Sequence, residues 1–207
     1  MGRTVQLAVA CVAVLVVTVG HVKAETLTFD ELVTAVTDPI PNGYGGFQWN
    51  NFAFACRDFI LSQYAGTGYD NGMVSTPNIA YNADGNPAAF SSDTPFTLNG
   101  AYLTGAWNNG LQIIVDGLVN DSVVYSRTVV VDTTSPTWFD FNFQNVTKVN
   151  FTSSGGTPAH GNDFGYQIIM DNLKVNEIVP EPSALIGLLS MGIVGLGLAW
   201  WRRKRLG

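Results

Sequence analysis

Positive charge is scarce in this sequence, and so are histidine and cysteine: the 207 residues hold ten Lys and Arg, two His and two Cys. Six of the ten cations stand near the ends, at Arg3, Lys23 and Arg202 to Arg205, which leaves Arg57, Arg127, Lys148 and Lys174 for residues 25–178. Against fifteen carboxylates they give that stretch a net charge of −11. Binding to a phosphate backbone depends on counterion release by clustered Lys and Arg. Nucleic acid is thereby excluded as a partner, and docking of this part on anionic lipid is disfavoured for the same reason. His160 is the one histidine of the stretch, so a histidine-paired zinc site cannot be assembled, and no HExxH occurs. A GxSxG elbow, a P-loop and a Rossmann glycine pattern are missing too. The expectation is a non-enzymatic protein. The alternative is an exported glycan hydrolase or lyase built on two carboxylates, a pattern that spacing in sequence does not reveal. Cys11 falls in an N-terminal apolar run and Cys56 stands alone, so no disulfide staples the body. Cys56 is expected to pack as a small buried hydrophobe.

Sustained helical stripes are also lacking between 25 and 178. Apolar residues recur there with period two over short runs, separated by Asn, Asp, Gly, Pro and Ser, the pattern of half-buried antiparallel strands. In "TWFDFNF", Phe139, Phe141 and Phe143 point one way and Trp138, Asp140 and Asn142 the other. "LQIIVDGLV" and "SVVYSRTVVVD" are joined by Asn120-Asp121, two residues that tolerate left-handed backbone, so the runs are expected to form a tight hairpin. "VTKVNFT" reads as a further strand after a turn at Gln144-Asn145, and "FGYQIIMDNLKV" as the last one. The spacing predicts an all-β domain, an antiparallel, jelly-roll-like β-sandwich.

What is present suggests binding. "NGYGGFQWNNF" interleaves aromatic rings with glycine, and further tryptophans stand at 107 and 138. Exposed rings stack on sugar faces while Asn and Asp take up hydroxyls, which makes Trp138, Trp49 and Trp107 candidate glycan contacts. Trp138 leads them, because alternation puts it opposite three phenylalanines; most of the other aromatics are expected in the core. Asp30 and Glu31, beside the first strand, and Asp171, on the last, are candidate ligands for a structural Ca2+, which takes carboxylate and carbonyl oxygens.

Both ends read as addresses. Arg3, an apolar stretch from Val5 to Val19 and the sequence Val22-Lys23-Ala24 have the form of a signal peptide over residues 1–24, cut after Ala24. This assigns the chain to the secretion machinery and leaves 25–178 as the exported domain. Near the other end stand Pro180, Glu181 and Pro182, then eighteen uncharged residues from Ala184 to Trp201, then Arg202, Arg203, Lys204 and Arg205. Eighteen residues make a helix about 27 Å long, close to a hydrocarbon core of about 30 Å. A transmembrane helix over 184–201 is the expectation, with the basic residues 202–205 fixing its end in the cytoplasm and the body outside. The two prolines hold the chain extended just before it.

In order and spacing, residues 179–207 resemble the PEP-CTERM sorting signal: a Pro-Glu-Pro triplet, a Gly-rich apolar helix and a basic cluster. The resemblance implies an exosortase substrate of a Gram-negative bacterium. Such a protein is held in the inner membrane with its body in the periplasm, cut near the triplet by a membrane protease, and passed to the cell surface, extracellular matrix or biofilm, where exopolysaccharide is the expected partner. The body, too, resembles the short β-rich domains attached to this signal, in its "FDEL", "NGYGGFQW" and "MDNLKV". The competing reading of the tail is a permanent anchor.

Overall fold

The computed structural model describes residues 24–33, 36–159 and 165–176. In chain order these form β1 (Glu25–Leu27), β2 (Thr37–Pro39), β3 (Gln48–Asn50), β4 (Phe52–Cys56), α1 (Arg57–Gln63), α2 (Gly68–Asn71) and β5 (Asn78–Asn82). There follow β6 (Ala88–Gly105), β7 (Asn108–Asn109), β8 (Leu111–Val119), β9 (Ser122–Val131), β10 (Thr137–Ser154), β11 (Thr157–Pro158) and β12 (Ile168–Val175). Ten strands make one antiparallel sheet in the order β2-β4-β5-β12-β6-β10-β8-β9, with β1 added to β12 and β3 to β6. The remaining two strands, β7 and β11, pair with each other.

The sheet folds back on itself because β6 and β10, each of 18 residues, run through both halves. Their pairing is regular from Thr137↔Leu103 to Asp140↔Gly100 and again from Lys148↔Ser91 to Phe151↔Ala88. Between these stretches the register shifts three times. Asn142 and Asn145 sit at two of the shifts with φ of 53° and 56°, and Asn172 does the same on β12 with φ of 49°. Each is a bulge, where one strand carries an extra residue and bends; asparagine accepts the left-handed backbone that this requires. The expected turn at Gln144-Asn145 is therefore a bend inside one long strand. Local composition looks the same in both cases, since a polar pair with a left-handed residue serves a turn or a bulge. The Asn120-Asp121 hairpin is as expected, with φ of 49° and 58°.

Folding the sheet brings the inward faces of its halves together. Phe52 of β4 meets Phe151 of β10 at 5.6 Å between ring centres, and Trp49 and Phe90 lie 5.2 Å apart beside them. Phe90, Phe151, Leu98, Leu103, Ile113 and Met170 are fully buried in the same cluster. Each such side chain stabilises the fold by about 1.5 to 3 kcal/mol relative to exposure. The result is an antiparallel, sandwich-like β domain whose two layers share strands.

Two features depart from the sequence reading. The short helices α1 and α2 cover one end of the sheet over a smaller cluster of Ile60, Tyr69, Ile79 and Ile169. They span seven and four residues, too short for a helical stripe to register. Cys56 is half-buried at the end of β4 rather than enclosed in the core. Among the described residues, no helix is long and apolar enough to cross a membrane. The expected signal peptide, the triplet, the 184–201 helix and Arg202 to Arg205 lie outside the described residues, except for Ala24, which is exposed.

Candidate functional site

The three tryptophans proposed as glycan contacts fall in three different environments. Trp49 is 8% exposed and surrounded by Phe29, Phe47, Phe52 and Phe90; its indole N–H donates to the Tyr44 carbonyl at 3.0 Å. Its assignment as a surface contact is corrected: the alternation of Gln48-Trp49-Asn50 turns the indole inward and the two amides outward. Trp107 is half-buried against the edges of Tyr64 and Tyr69, both at 5.7 Å, where it packs the smaller cluster.

Trp138 alone lies on the outer face, half-buried, as strand alternation required. Directly across from it on β6 is Tyr102, with ring centres 5.2 Å apart in an edge-to-face arrangement. The indole N–H donates to Asp140 Oδ1 at 2.8 Å, two residues along the same face. The Lys174 ammonium stands 5.7 Å from the ring centre. Beneath the ring is Gly100, the only residue type that admits it: a Cβ there would come 2.4 Å from Trp138 Cζ2. Two aromatic rings, a carboxylate and an ammonium thus share one surface. Rings with adjacent hydroxyl-binding groups are what a sugar needs. Tyr102 escaped the sequence reading because its place beside Trp138 is set by the register of β6 on β10.

The three carboxylates proposed for Ca2+ are each engaged elsewhere. Asp30 Oδ1 accepts from the Asn78 backbone N–H at 2.9 Å, which ties the turn after β1 to β5. Glu31 Oε2 accepts from the Tyr44 hydroxyl at 2.9 Å, and that hydroxyl in turn accepts from the Phe29 N–H at 2.8 Å. Burial, with the Glu31 contact second, pushes the Tyr44 phenol up. Asp171 is completely buried and accepts from the backbone N–H groups of Val74, Ser75 and Asn172 and from the Ser75 hydroxyl, at 2.7 to 3.0 Å. It pins the segment before β5 onto β12. Burial pushes its carboxyl up to about 6, against the downward pull of these donors. Among the described residues no three His, Cys, Asp or Glu side chains gather at metal-holding distances. His160 lies outside the described residues.

Comparison with known proteins adds the class first. Residues 179–204 match the family model of the PEP-CTERM protein-sorting motif. The tail therefore carries a PEP-CTERM sorting motif, which implies processing by an exosortase. No curated protein matches the sequence. Among solved structures, one similar chain is TmCBM61 in complex with beta-1,4-galactotriose, at 11% identity and a TM-score of 0.32, over 65% of this chain and 93% of that one.

Proposed function

We propose that this chain is a non-enzymatic surface or matrix protein that contacts glycan through Trp138 and Tyr102. It is exported by the secretion machinery through residues 1–24 and held in the inner membrane by 184–201, with its body in the periplasm. An exosortase cuts it near Pro180-Glu181-Pro182 and passes it to the cell surface. The observation that carries the sorting half is the motif at 179–204. The glycan half is supported by the paired rings on the outer face, with Asp140 and Lys174 in place for hydroxyls. Stacking on the Trp138–Tyr102 surface and hydrogen bonding to these two groups would hold a sugar without any bond being made or broken.

The test is the mature protein from its native host. Its intact mass is expected to lack both 1–24 and the segment beginning at Ala184, and it is expected outside the inner membrane. A mature mass that retains Arg202 to Arg205 would establish the permanent anchor instead. For the body, Trp138→Ala is expected to weaken retention on the host's own exopolysaccharide at least tenfold. Unchanged retention would remove the glycan contact from this surface.

A further inference from the structure

The opposite ends of β6 and β10 from Trp138 carry a groove of about 640 Å³. Its shape follows from register. Gln48, Ser91 and Lys148 stand side by side on β3, β6 and β10, and Asn50, Ala89 and Asn150 form the next row on the same outward face. In both rows the middle residue is small and its neighbours are long, so the centre of the sheet is a floor with a wall on each side. Strands lie about 4.8 Å apart, which makes the floor about 10 Å across between the outer two. The hairpin turn at Asn120-Asp121 raises one wall further, and Asp121 Oδ1 holds the Lys148 ammonium at 3.9 Å. Asp93 stands on the same lining, where β6 leaves the groove.

Part of this lining is uncommitted. Among the described residues, Gln48, Asn50, Ser91 and Asp93 make no side-chain hydrogen bond to the rest of the protein. Some amides elsewhere are held instead by the fold: Asn42, Asn51, Asn78 and Asn82 each bond the backbone. The groove therefore offers amide donors and acceptors, a hydroxyl and the Asp93 carboxylate, all open to a ligand, and no aromatic or large aliphatic wall. That chemistry suits neither a lipid nor a planar apolar molecule. Two carboxylates against one ammonium, itself already paired with Asp121, disfavour an anion.

We infer that this groove is a second carbohydrate subsite, which takes an uncharged, hydroxyl-rich polysaccharide chain along β6. The inference rests on the glycan reading above and extends it to a different surface. Vicinal hydroxyls both donate and accept, so they match amides and a carboxylate together, and the two rows of side chains give them successive contacts along β6. With two subsites on one body, a long polysaccharide can engage both, and each engagement raises the effective concentration at the other.

The test is affinity electrophoresis of the full chain in detergent through gels containing dextran, galactan, glucan or mannan, with alginate as the anionic comparison. Retardation by at least one neutral polysaccharide is expected, at least tenfold stronger than by alginate. Ser91→Phe, which fills the floor, and the double variant Gln48→Ala/Asn50→Ala are each expected to weaken it at least tenfold, with the thermal midpoint unchanged. If Ser91→Phe fails to fold, the double variant decides, since both its positions are exposed and uncommitted. Loss in these variants together with residual binding in Trp138→Ala supports a separate subsite. Wild-type binding in both groove variants, with loss in Trp138→Ala, overturns the groove and leaves the glycan reading standing. Alginate binding of equal strength overturns the selectivity for uncharged chains. No retardation by any polysaccharide overturns both readings.

Discussion

Trp138 rests its indole on the backbone of Gly100, one strand over, so closely that a Cβ at 100 would sit 2.4 Å from Cζ2 and 2.5 Å from the Phe139 carbonyl oxygen. The ring could yield, but the neighbouring strand's backbone cannot move without breaking the ladder that pairs Asp140 with Gly100. Gly100→Ala is therefore expected to cost about 1 to 3 kcal/mol, the range for overpacking a fitted site. It should also lift Trp138 off the sheet and away from Tyr102. Thermal unfolding checks the first effect, and a red-shifted tryptophan emission relative to wild type checks the second. An unshifted midpoint would mean that the two strands are not packed this tightly.

Asp171 gives a pH dependence with a definite sign. Its carboxyl is raised in the folded protein from 3.8 to about 6, chiefly by burial. The folded state therefore binds this proton more tightly than the unfolded chain. The stabilisation it contributes is complete below pH 3.8 and is lost as pH rises through about 6. The span of two units corresponds to something on the order of 3 kcal/mol. Other carboxylates contribute slopes of their own, so the measurement is the difference between wild type and Asp171→Asn in denaturant midpoint from pH 4 to 7. That difference should change across the window. The variant should also be less stable throughout, by about 1 to 3 kcal/mol, because an amide cannot accept from all the donors that Val74, Ser75 and Asn172 supply.

The bulge at Asn145 is testable by backbone alone. Its φ of 56° suits Asn or Gly and penalises a β-branched side chain. Asn145→Val is expected to cost about 1 to 2 kcal/mol, whereas Asn145→Gly should leave stability within about 0.5 kcal/mol. Equal denaturant midpoints for the two variants would show that the long strand is not bent there.

The strands of this protein were legible because burial on one face leaves a period of two, as at Phe139, Phe141 and Phe143, and because Asn120-Asp121 can serve a hairpin. The shared strands were not. Asn145 carries the same local signal as Asn120, and only the pairing of β10 with β6 on one side and β8 on the other decides that the strand bends and continues rather than reversing. The candidate site divides in the same way. Alternation put Trp138 outside, a local property. Tyr102 and Gly100 come to it through cross-strand register, and the floor of the groove depends on Ser91 meeting Gln48 and Lys148, and Ala89 meeting Asn50 and Asn150, from strands far apart in sequence. Trp49 was misplaced because its glycine-rich neighbourhood resembles an exposed loop, whereas the strand Gln48–Asn50 turns it inward. The tail motif was legible in full because its recognition depends on order along the chain rather than on folding.

The triplet Pro180-Glu181-Pro182 carries the prediction on which localisation turns. A stiff spacer before a permanent anchor tolerates replacement by three alanines, since chain length and the apolar segment are unchanged; the protein would keep its mass and its membrane. A processing signal does not. On the sorting reading, glutamate at the edge of the apolar run would hold that point in the aqueous interface, and the flanking prolines would keep it extended for a membrane-embedded protease. Alanine at all three positions would favour helix through the site in place of extended chain and removes the charge that marks it. The triple variant is therefore expected to accumulate uncut in the inner membrane, while wild type loses the segment from Ala184 to Gly207. Deleting Arg202 to Arg205 separates recognition from orientation. Without that cluster the apolar run 184–201 lacks the charge bias that would fix its end in the cytoplasm, so the expected defect is a mixture of orientations and premature release, with the triplet still cut wherever the body has crossed. Intact mass and membrane fractionation of the three proteins in the native host read all of these outcomes. Equal processing of wild type and the triple variant would show that cleavage takes its address from the helix instead of the triplet.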